Sequence, residues 1–303
     1  MRDEVNRRKR GMNKALSSCV AAALPALGLA AEPAAPGAGA LGPPEDRTFK
    51  AKIDGSMQHY VQMLPKPMAA GKPCDVLIAL HGHGSDRWQY VKADRGECKG
   101  ARDFAGAHGM IYISPDYRAS TSWMGPAAEA DMVQLIALLR KEHKVGRVFL
   151  TGASMGGASV LIFAALHPDL LAGVSSENGT ANMLEYQSFQ DAIAASYGGD
   201  KKQMPAEYKK RSPELVPGKF TMPVAFAVGG RDTTVPPDSV RRLAEELKKR
   251  YEKNILIIDR KEGGHVTTYE DTMESLEFIF KAAGAGKGAN QSPKPPAPET
   301  KGE

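Results

Sequence analysis

The sequence predicts an α/β fold, built on a mostly parallel, twisted sheet with helices on both faces. Short apolar runs bounded by turn residues alternate with helical patterns along the chain. The runs are apolar at successive positions, as in strands that helices cover on both faces. Because strands and helices alternate, right-handed crossovers between parallel strands are expected. The predicted strands are 76–80, 110–114, 147–151, 172–176, 223–228 and 255–259.

The remaining elements follow from local patterns. The helical patterns at 128–143 and 239–251 each carry an apolar stripe at helical spacing. An antiparallel hairpin is predicted at the start of the domain, with strands at 48–53 and 57–63. The segment 180–217 does not continue the alternation, and we interpret it as an insertion of short helices that caps a site.

The composition excludes several classes of protein. The chain has 303 residues, 42% hydrophobic and 25% charged, which is typical of soluble domains and not of collagen-like or polytopic membrane proteins. Its net charge of +5 is uneven, because residues 1–31 contain six basic and two acidic residues and so contribute +4. Since the basic residues concentrate in this leader and no basic stripe with interleaved aromatics follows, we expect no nucleic-acid partner.

Both ends of the chain differ in composition from its centre. Residues 1–31 combine a basic run with an apolar stretch that closes on small residues, as in a secretory signal peptide. The alternative is a membrane anchor, which Pro25 and the short apolar stretch disfavour. We predict a linker at 32–44, a folded domain at 45–283 and a disordered tail at 284–303. The expected location is secreted or periplasmic, without stable membrane insertion after signal cleavage.

The cysteines leave two arrangements open. Cys19 leaves with the signal peptide, so Cys74 and Cys98 remain. In an exported protein these two residues either form one disulfide or stay as buried free thiols. Their spacing does not match a metal site, and no metal is predicted.

Ser154 is the candidate nucleophile. It lies in the GASMGG run at 152–157, between a predicted strand and a predicted helix at 158–166. A sharp strand-to-helix turn exposes such a serine above the sheet, and glycines beside it avoid clashes. The helix N-terminus also supplies backbone N–H groups for a developing oxyanion. The alternative is an ordinary glycine-rich turn before a helix.

His265 and Asp232 are the candidate base and acid. A serine hydroxyl needs a general base, and His265 follows the last predicted strand on a loop that can reach over the sheet edge. Asp232 follows the preceding strand at its carboxyl end, and its role would be to fix the His265 tautomer. Two other carboxylates compete with Asp232. Asp238 is better interpreted as the N-cap of the next helix, and Asp259 lies too close in sequence to His265.

The predicted oxyanion hole combines two segments. One N–H group comes from Met155, directly after the nucleophile. The other comes from the LHGHGS run at 80–85, where His83 is the first choice and Gly84 the alternative. His81 and His83 also have the spacing of a metal-ligand pair, but the sequence shows no third ligand.

Taken in order, these motifs resemble the α/β-hydrolase superfamily. The resemblance covers about residues 48–283 and rests on His-Gly-x-Gly at 81–84, Gly-x-Ser-x-Gly at 152–156, Asp232 and His265. Within the superfamily the chain is most similar to secreted polyhydroxybutyrate-depolymerase-like, feruloyl and acetylxylan esterases, with prolyl-oligopeptidase-like hydrolases as near relatives. The resemblance implies an α/β-hydrolase fold and a serine acyl-enzyme mechanism without a cofactor.

Three further residues are candidates for substrate binding. Tyr117 and Trp123 follow the predicted strand 110–114, and Asn178 follows the strand next to the nucleophile helix. All three leave the carboxyl edge of the sheet, where ligands bind in α/β folds. Two alternative roles are open for Trp123. It stacks on a sugar or an aromatic acyl group of the substrate, or it packs beneath the loop.

The sequence thus predicts a secreted serine ester hydrolase. Its expected substrate is a small-molecule or polysaccharide ester, with an acetyl or feruloyl group on carbohydrate preferred because of export and the resemblance. The alternatives are a prolyl-oligopeptidase-like peptidase and a non-catalytic binding protein on a hydrolase scaffold. A propeller domain, normal in such peptidases, does not fit within 45–283, and the intact Ser154, Asp232 and His265 argue against a binding protein.

Overall fold

The apolar runs of the sequence form the strands of the structure. The computed structural model describes residues 39–68 and 71–285. Its strands are β1 (Ala40–Leu41), β2 (Glu45–Lys50), β3 (Met57–Met63), β4 (Pro65–Lys66), β5 (Cys74–Leu80), β6 (Ile111–Pro115), β7 (Val145–Ala153), β8 (Gly173–Glu177), β9 (Val224–Gly229) and β10 (Ile255–Arg260). Each predicted strand overlaps one of these, and β5 to β9 are mostly buried along their length because helices cover both of their faces.

The helices follow the strands as the alternating pattern indicates. They are α1 (Gln89–Lys92), α2 (Gly96–Ala107), α3 (Pro126–Glu142), α4 (Met155–Leu166), α5 (Gln190–Tyr197), α6 (Pro205–Lys210), α7 (Asp238–Tyr251) and α8 (Tyr269–Ala285). One apolar core contains side chains of α3, α4 and α7, and a second contains side chains of α2 and α8. The two cores lie on opposite faces of the sheet. The α/β-hydrolase fold predicted from the sequence is therefore confirmed.

The sheet brings the functional strands together. Its order is β10-β9-β8-β7-β5-β6-β3-β2. The six strands from β10 to β6 are parallel, and β3 and β2 extend the sheet in antiparallel pairing. Because parallel strands end at the same edge, the loops after β5, β7, β9 and β10 meet there.

The first strand of the leading hairpin is shifted relative to the prediction. β2 spans Glu45–Lys50 rather than 48–53, because the chain already turns between Ala51 and Gly55. The Gly55 N–H donates to the Ala51 carbonyl oxygen at 2.8 Å, and its φ of 76° suits glycine. Ile53 therefore lies exposed in the turn.

The insertion at 180–217 consists of short helices, as expected. It contains α5, α6 and the 3₁₀ turn Pro213–Leu215, and a second 3₁₀ turn, Pro217–Lys219, begins at its last residue. Its anchor is the fully buried Arg211, which forms 2.6 Å ion pairs with Glu129 of α3 and Glu207 of α6. Because Glu207 belongs to the insertion itself, the pair with Glu129 is the one that ties the insertion to the main body.

The ends of the domain differ from the predicted boundaries. Part of the predicted linker 32–44 forms β1, which pairs with β4, and α8 continues to Ala285. The predicted signal peptide, residues 32–38 of the linker and tail residues 286–303 lie outside the described residues. Within 39–68 and 71–285, no helix combines the length and apolar character needed to cross a membrane.

Both remaining cysteines are free thiols. Cys74 is half-buried in β5, and its Sγ lies 3.2 Å from the Gly109 carbonyl oxygen. Cys98 is buried in α2, where burial raises the pKa of its thiol to about 12. Of the two arrangements left open by the sequence, the structure shows the unpaired one.

Candidate active site

Ser154 occupies a tight turn between a strand and a helix. β7 ends at Ala153 and α4 begins at Met155, so Ser154 alone makes the connection. Its φ of 59° and ψ of −121° lie in a region that residues other than glycine rarely adopt. The Ser154 N–H donates to the Glu177 carbonyl oxygen at 2.8 Å, which ties the turn to β8. The strand-to-helix turn predicted at the nucleophile is therefore present.

His265 links Ser154 to Asp232. The His265 Nε2 atom lies 2.9 Å from the Ser154 hydroxyl oxygen. On the other side of the ring, Nδ1 lies 2.6 Å from Asp232 Oδ2. Because a carboxylate only accepts, Nδ1–H donates to Asp232, and Nε2 is left to accept the serine proton. The structure thus brings together the three residues predicted as nucleophile, base and acid.

Asp232 is held in place by its own backbone neighbours. Its Oδ1 atom accepts hydrogen bonds from the N–H groups of Thr234 and Val235, both at 2.9 Å. The side chain is 1% exposed, so the charge is shielded from solvent. These two bonds hold the carboxylate with Oδ2 directed at His265. A carboxylate directly after β9 can therefore act as the acid of the array.

The two rival carboxylates lie elsewhere. Asp238 is mostly exposed and begins the first turn of α7, with Pro237 at the N-cap position. The expected N-cap role of Asp238 is therefore wrong, since no cap hydrogen bond forms at this end of α7. Asp259 lies in β10 and pairs with Arg241 at 2.9 Å.

We expect Asp232→Asn to lower kcat on a test substrate such as p-nitrophenyl acetate by roughly 10⁴-fold. An amide at this position stabilises the wrong His265 tautomer and cannot balance the imidazolium. Asp238→Asn is the matched control and should stay within about twofold, because its exposed carboxylate begins α7 and pairs with Arg241. Steady-state kinetics of both variants check the prediction. A loss below tenfold in Asp232→Asn would contradict the role given to Asp232.

The backbone around His83 favours one oxyanion donor over the alternative. The Gly82 N–H donates to Gln89 Oε1, and the Gly84 N–H donates to the Ser120 carbonyl oxygen, both at 2.8 Å. Among the described residues, the His83 N–H between them has no acceptor. Gly84 is therefore occupied, and His83 stays the predicted donor together with Met155, the first residue of α4.

His81 does not form a metal site with His83. Its ring is buried, with Nδ1 2.9 Å from the Gly82 carbonyl oxygen and Nε2 3.2 Å from that of Asp116. Burial lowers the pKa of His81, although the two carbonyl contacts oppose this shift, and both ring nitrogens are engaged by the protein. In the described ranges, no group of three or more His, Cys, Asp or Glu residues is arranged to hold a metal ion.

A pocket of about 290 Å³ opens beside Ser154 and His265. Phe189 from the insertion forms an aromatic wall, and 36% of its surface remains exposed. On another wall, the exposed Arg95 pairs with the buried Glu97 at 2.7 Å. The volume is at the small end of the range for ligand pockets, which suits a small acyl or alcohol group.

The structure corrects the three predicted substrate-binding residues. Trp123 is fully buried, because the insertion covers it, so packing beneath the loop is the correct alternative. Tyr117 is also buried, and its hydroxyl donates to the His81 carbonyl oxygen at 2.6 Å. Asn178 donates to Thr267 Oγ1 at 2.9 Å and accepts from the Gly229 N–H at 3.1 Å. Asn178 therefore braces the loop that carries His265 and does not line the pocket.

Sequence reasoning missed several pocket residues. Phe189, Tyr90 and Arg95 line the pocket, and none of them is among the predicted site residues. Two signals in the sequence point to them: the insertion is predicted to cap a site, and Tyr90 and Arg95 follow β5 at the carboxyl edge of the sheet. Phe189 also has a φ of 56°, a left-handed conformation that is unusual for a bulky residue.

Glu177 is a buried acid directly behind the nucleophile turn. Its side chain is fully buried, and neither carboxyl oxygen has a hydrogen-bond partner in the described part of the chain. Burial raises the pKa of Glu177 well above its ordinary value and outweighs the opposing effect of the nearby Thr272 hydroxyl, and the Glu97 and Asp271 carboxylates raise this pKa further. The folded protein therefore keeps Glu177 protonated at pH values where the unfolded chain has lost this proton.

This difference predicts a pH-dependent stability change in Glu177→Gln. A raised pKa in the folded state means that wild-type stability falls as pH rises above the unfolded pKa, by up to about 1.4 kcal/mol per pH unit. The neutral glutamine removes this loss. Urea unfolding at pH 5 and pH 8 should therefore show an advantage of the variant that grows with pH. The exposed Glu245→Gln is the control, and an equal pH response in both variants would contradict the prediction.

Comparison with known proteins agrees with this geometry. A sequence model of the prolyl oligopeptidase family matches residues 103–284, which is more than half of the chain and includes Ser154, Asp232 and His265. No curated protein sequence is significantly similar to the chain.

Three solved structures illustrate the shared fold. An acylaminoacyl peptidase from Pyrococcus horikoshii is 18% identical, with a TM-score of 0.60 over 78% of this chain and 41% of that protein. A puromycin-hydrolyzing peptidase from Mycobacterium tuberculosis is 19% identical, with a TM-score of 0.61 over 80% of this chain and 39% of that protein. An S-formylglutathione hydrolase from Agrobacterium tumefaciens is 16% identical, with a TM-score of 0.59 over 81% of this chain and 99% of that protein.

The match therefore spans about two fifths of each peptidase and nearly all of the S-formylglutathione hydrolase. At these identities the structural likeness establishes the fold. The family match covers the whole Ser154–His265–Asp232 array and extends to the end of the described domain. The protein has the α/β-hydrolase fold, and it belongs to the prolyl oligopeptidase family.

Proposed function

We propose that the protein hydrolyses carboxylic esters through an acyl-enzyme on Ser154, and that its substrates are acetyl or feruloyl esters of carbohydrate. The observation that carries the proposal is the hydrogen-bonded array of Ser154, His265 and Asp232 beside the 290 Å³ pocket. The carbohydrate part rests on the resemblance to secreted esterases and on the predicted export of the chain. We place the enzyme outside the cytoplasm for the same reason.

The geometry supports the following mechanism. The Ser154 hydroxyl attacks the ester carbonyl while His265 Nε2 takes its proton, and Asp232 stabilises the resulting imidazolium. The N–H groups of Met155 and His83 hold the oxyanion. His265 then protonates the leaving alcohol. Water repeats the sequence on the acyl-enzyme and releases the acid, so no cofactor enters the reaction.

Initial rates on a substrate panel test the proposal. The panel contains p-nitrophenyl acetate, p-nitrophenyl butyrate, methyl ferulate, acetylated xylan and a set of peptide p-nitroanilides, with Ser154→Ala as the blank. Serine-dependent release of acetate from xylan or of ferulic acid from methyl ferulate is expected. Turnover of the nitrophenyl esters alone would remove the carbohydrate assignment and leave ester hydrolysis in place.

Peptide hydrolysis is the second candidate function, because the family to which the chain belongs is named after an oligopeptidase. The same panel separates the two candidates. A kcat/KM on a peptide p-nitroanilide above that on every ester would establish a peptidase and contradict the proposal.

Phe189 provides a prediction about acyl preference. Removing the ring in Phe189→Ala should lower kcat/KM for methyl ferulate by up to about tenfold, because an aromatic contact is worth about 0.5–1.5 kcal/mol. The loss for p-nitrophenyl acetate should stay below about threefold, since the small acetyl group makes little contact with the ring. Phe189→Leu keeps an apolar side chain and serves as the control, with an intermediate effect expected. Equal losses on both esters in Phe189→Ala would show that the ring does not discriminate.

A further inference from the structure

The imidazole of His83 lies in the pocket but has no role in the mechanism above. His83 is half-buried and lines the pocket with Ser154 and His265. The mechanism uses only its main-chain N–H. Its side chain therefore places a second polar group within a short distance of the reacting carbonyl.

Trp123 determines which nitrogen of this imidazole carries the proton. The Trp123 Nε1 atom lies 3.1 Å from His83 Nδ1. An indole N–H can only donate, so Nδ1 must accept, and the neutral ring carries its proton on Nε2. Burial lowers the pKa of His83, which favours the neutral ring.

The surrounding aromatic side chains fix the ring in this orientation. Trp123 is fully buried, and its carbonyl oxygen accepts a hydrogen bond from the Tyr197 hydroxyl at 3.0 Å. The Phe189 ring packs on His83 with centroids 4.3 Å apart and on Trp123 with centroids 5.5 Å apart. The imidazole is thus held between a tryptophan and a phenylalanine. Within residues 39–68 and 71–285, Nε2 has no protein partner.

We propose that the His83 Nε2–H donates a hydrogen bond to the substrate, and that Trp123 acts as a positioning residue that sets the His83 tautomer. The inference rests on the proposed ester hydrolysis. The group recognised is an oxygen acceptor a few bonds from the scissile carbonyl, such as the hydroxyl next to an ester-bearing carbon of a sugar. This acceptor lies close to the scissile carbonyl because the main-chain N–H of the same residue, His83, contacts the oxyanion.

The tautomer is tested by NMR of protein with ¹⁵N-labelled histidine. Long-range ¹H–¹⁵N correlation spectra should show His83 with a protonated Nε2 and a bare Nδ1 near neutral pH, the signal being assigned by its loss in His83→Asn. In Trp123→Phe, which keeps an aromatic ring without the donor, the proton should distribute over both nitrogens. A His83 protonated on Nδ1 in the wild type would overturn the assignment, whatever the enzyme hydrolyses.

Substrate recognition is tested with two isosteric ester pairs. Ethylene glycol monoacetate is compared with propyl acetate, and ethyl methoxyacetate with ethyl butyrate. For each pair the ratio of kcat/KM cancels any effect of the substitution on the oxyanion hole. The ratio for at least one pair should fall about fivefold in His83→Leu, as expected for one lost hydrogen bond, and about twofold in Trp123→Phe. His83→Asn keeps a neutral donor and should recover part of the loss.

A third experiment separates this inference from the function itself. Adding ethylene glycol monoacetate or ethyl methoxyacetate to labelled Ser154→Ala should shift the His83 Nε2 resonance more than adding the isosteric ester does. Equal shifts within both pairs, or unchanged kcat/KM ratios in His83→Leu, would overturn substrate binding by His83. Failure of the wild type to hydrolyse any ester would overturn the proposed function instead.

Discussion

Ser154→Ala is expected to lower kcat for ester hydrolysis by about 10⁴-fold or more. Without the hydroxyl, His265 has no nucleophile to deprotonate, and removal of the serine from such an array costs nearly as much as removal of all three residues. The fold should persist, because alanine removes only an oxygen atom that faces the pocket. Steady-state kinetics, with far-ultraviolet circular dichroism to confirm folding, measure the effect.

Ser159→Ala is the matched control for this variant. Ser159 lies one turn further along α4 and is buried away from the pocket. Its loss should change kcat by less than about threefold. Comparable losses in both variants would mean that the effect comes from damage to α4, and would contradict the assignment of Ser154 as nucleophile.

Gly156→Ala is expected to have the largest effect on stability. A Cβ at this position would lie far inside contact distance of the Leu80 carbonyl oxygen and 2.9 Å from the His81 carbonyl oxygen. Both are backbone atoms at the end of β5, so neither can rotate away. α4 would have to separate from β5, at a cost of about 3 kcal/mol. The midpoint of thermal unfolding should then fall by roughly 6–12 °C.

Gly218→Ala provides the control for the glycine substitution. A Cβ at Gly218 would meet no atom within 4 Å, so the free energy of unfolding should change by less than about 0.5 kcal/mol. Urea unfolding of both variants gives the comparison. A Gly156→Ala protein as stable as Gly218→Ala would show that the close contact between α4 and β5 does not constrain this position.

Much of the site could be predicted because its residues follow strands. Ser154, Asp232 and His265 come after β7, β9 and β10, whose apolar runs are plain in the sequence. Parallel pairing then brings the carboxyl ends of these strands to one edge of the sheet. Local sequence therefore predicts not only the elements but also the approach of three residues that are far apart along the chain.

The residues that line the pocket could not be predicted in the same way. Trp123 follows β6 at the carboxyl edge, but the insertion packs over it, and its burial depends on contacts with Tyr186 and Phe189. Phe189 reaches the pocket through a left-handed backbone conformation that its residue type does not indicate. Asp238 has the residue type of an N-cap but lies one position too late, behind Pro237. In each case tertiary packing, rather than local preference, decides the position.

Labelling with a fluorophosphonate probe tests the central claim most directly. The account predicts one covalent adduct per chain, located by peptide mass spectrometry on Ser154, and a loss of ester hydrolysis in proportion to labelling. Asp232→Asn should label far more slowly, because His265 then activates the serine poorly. Full ester hydrolysis by an unlabelled protein, or an adduct on another residue that accounts for the loss of activity, would contradict an acyl-enzyme on Ser154.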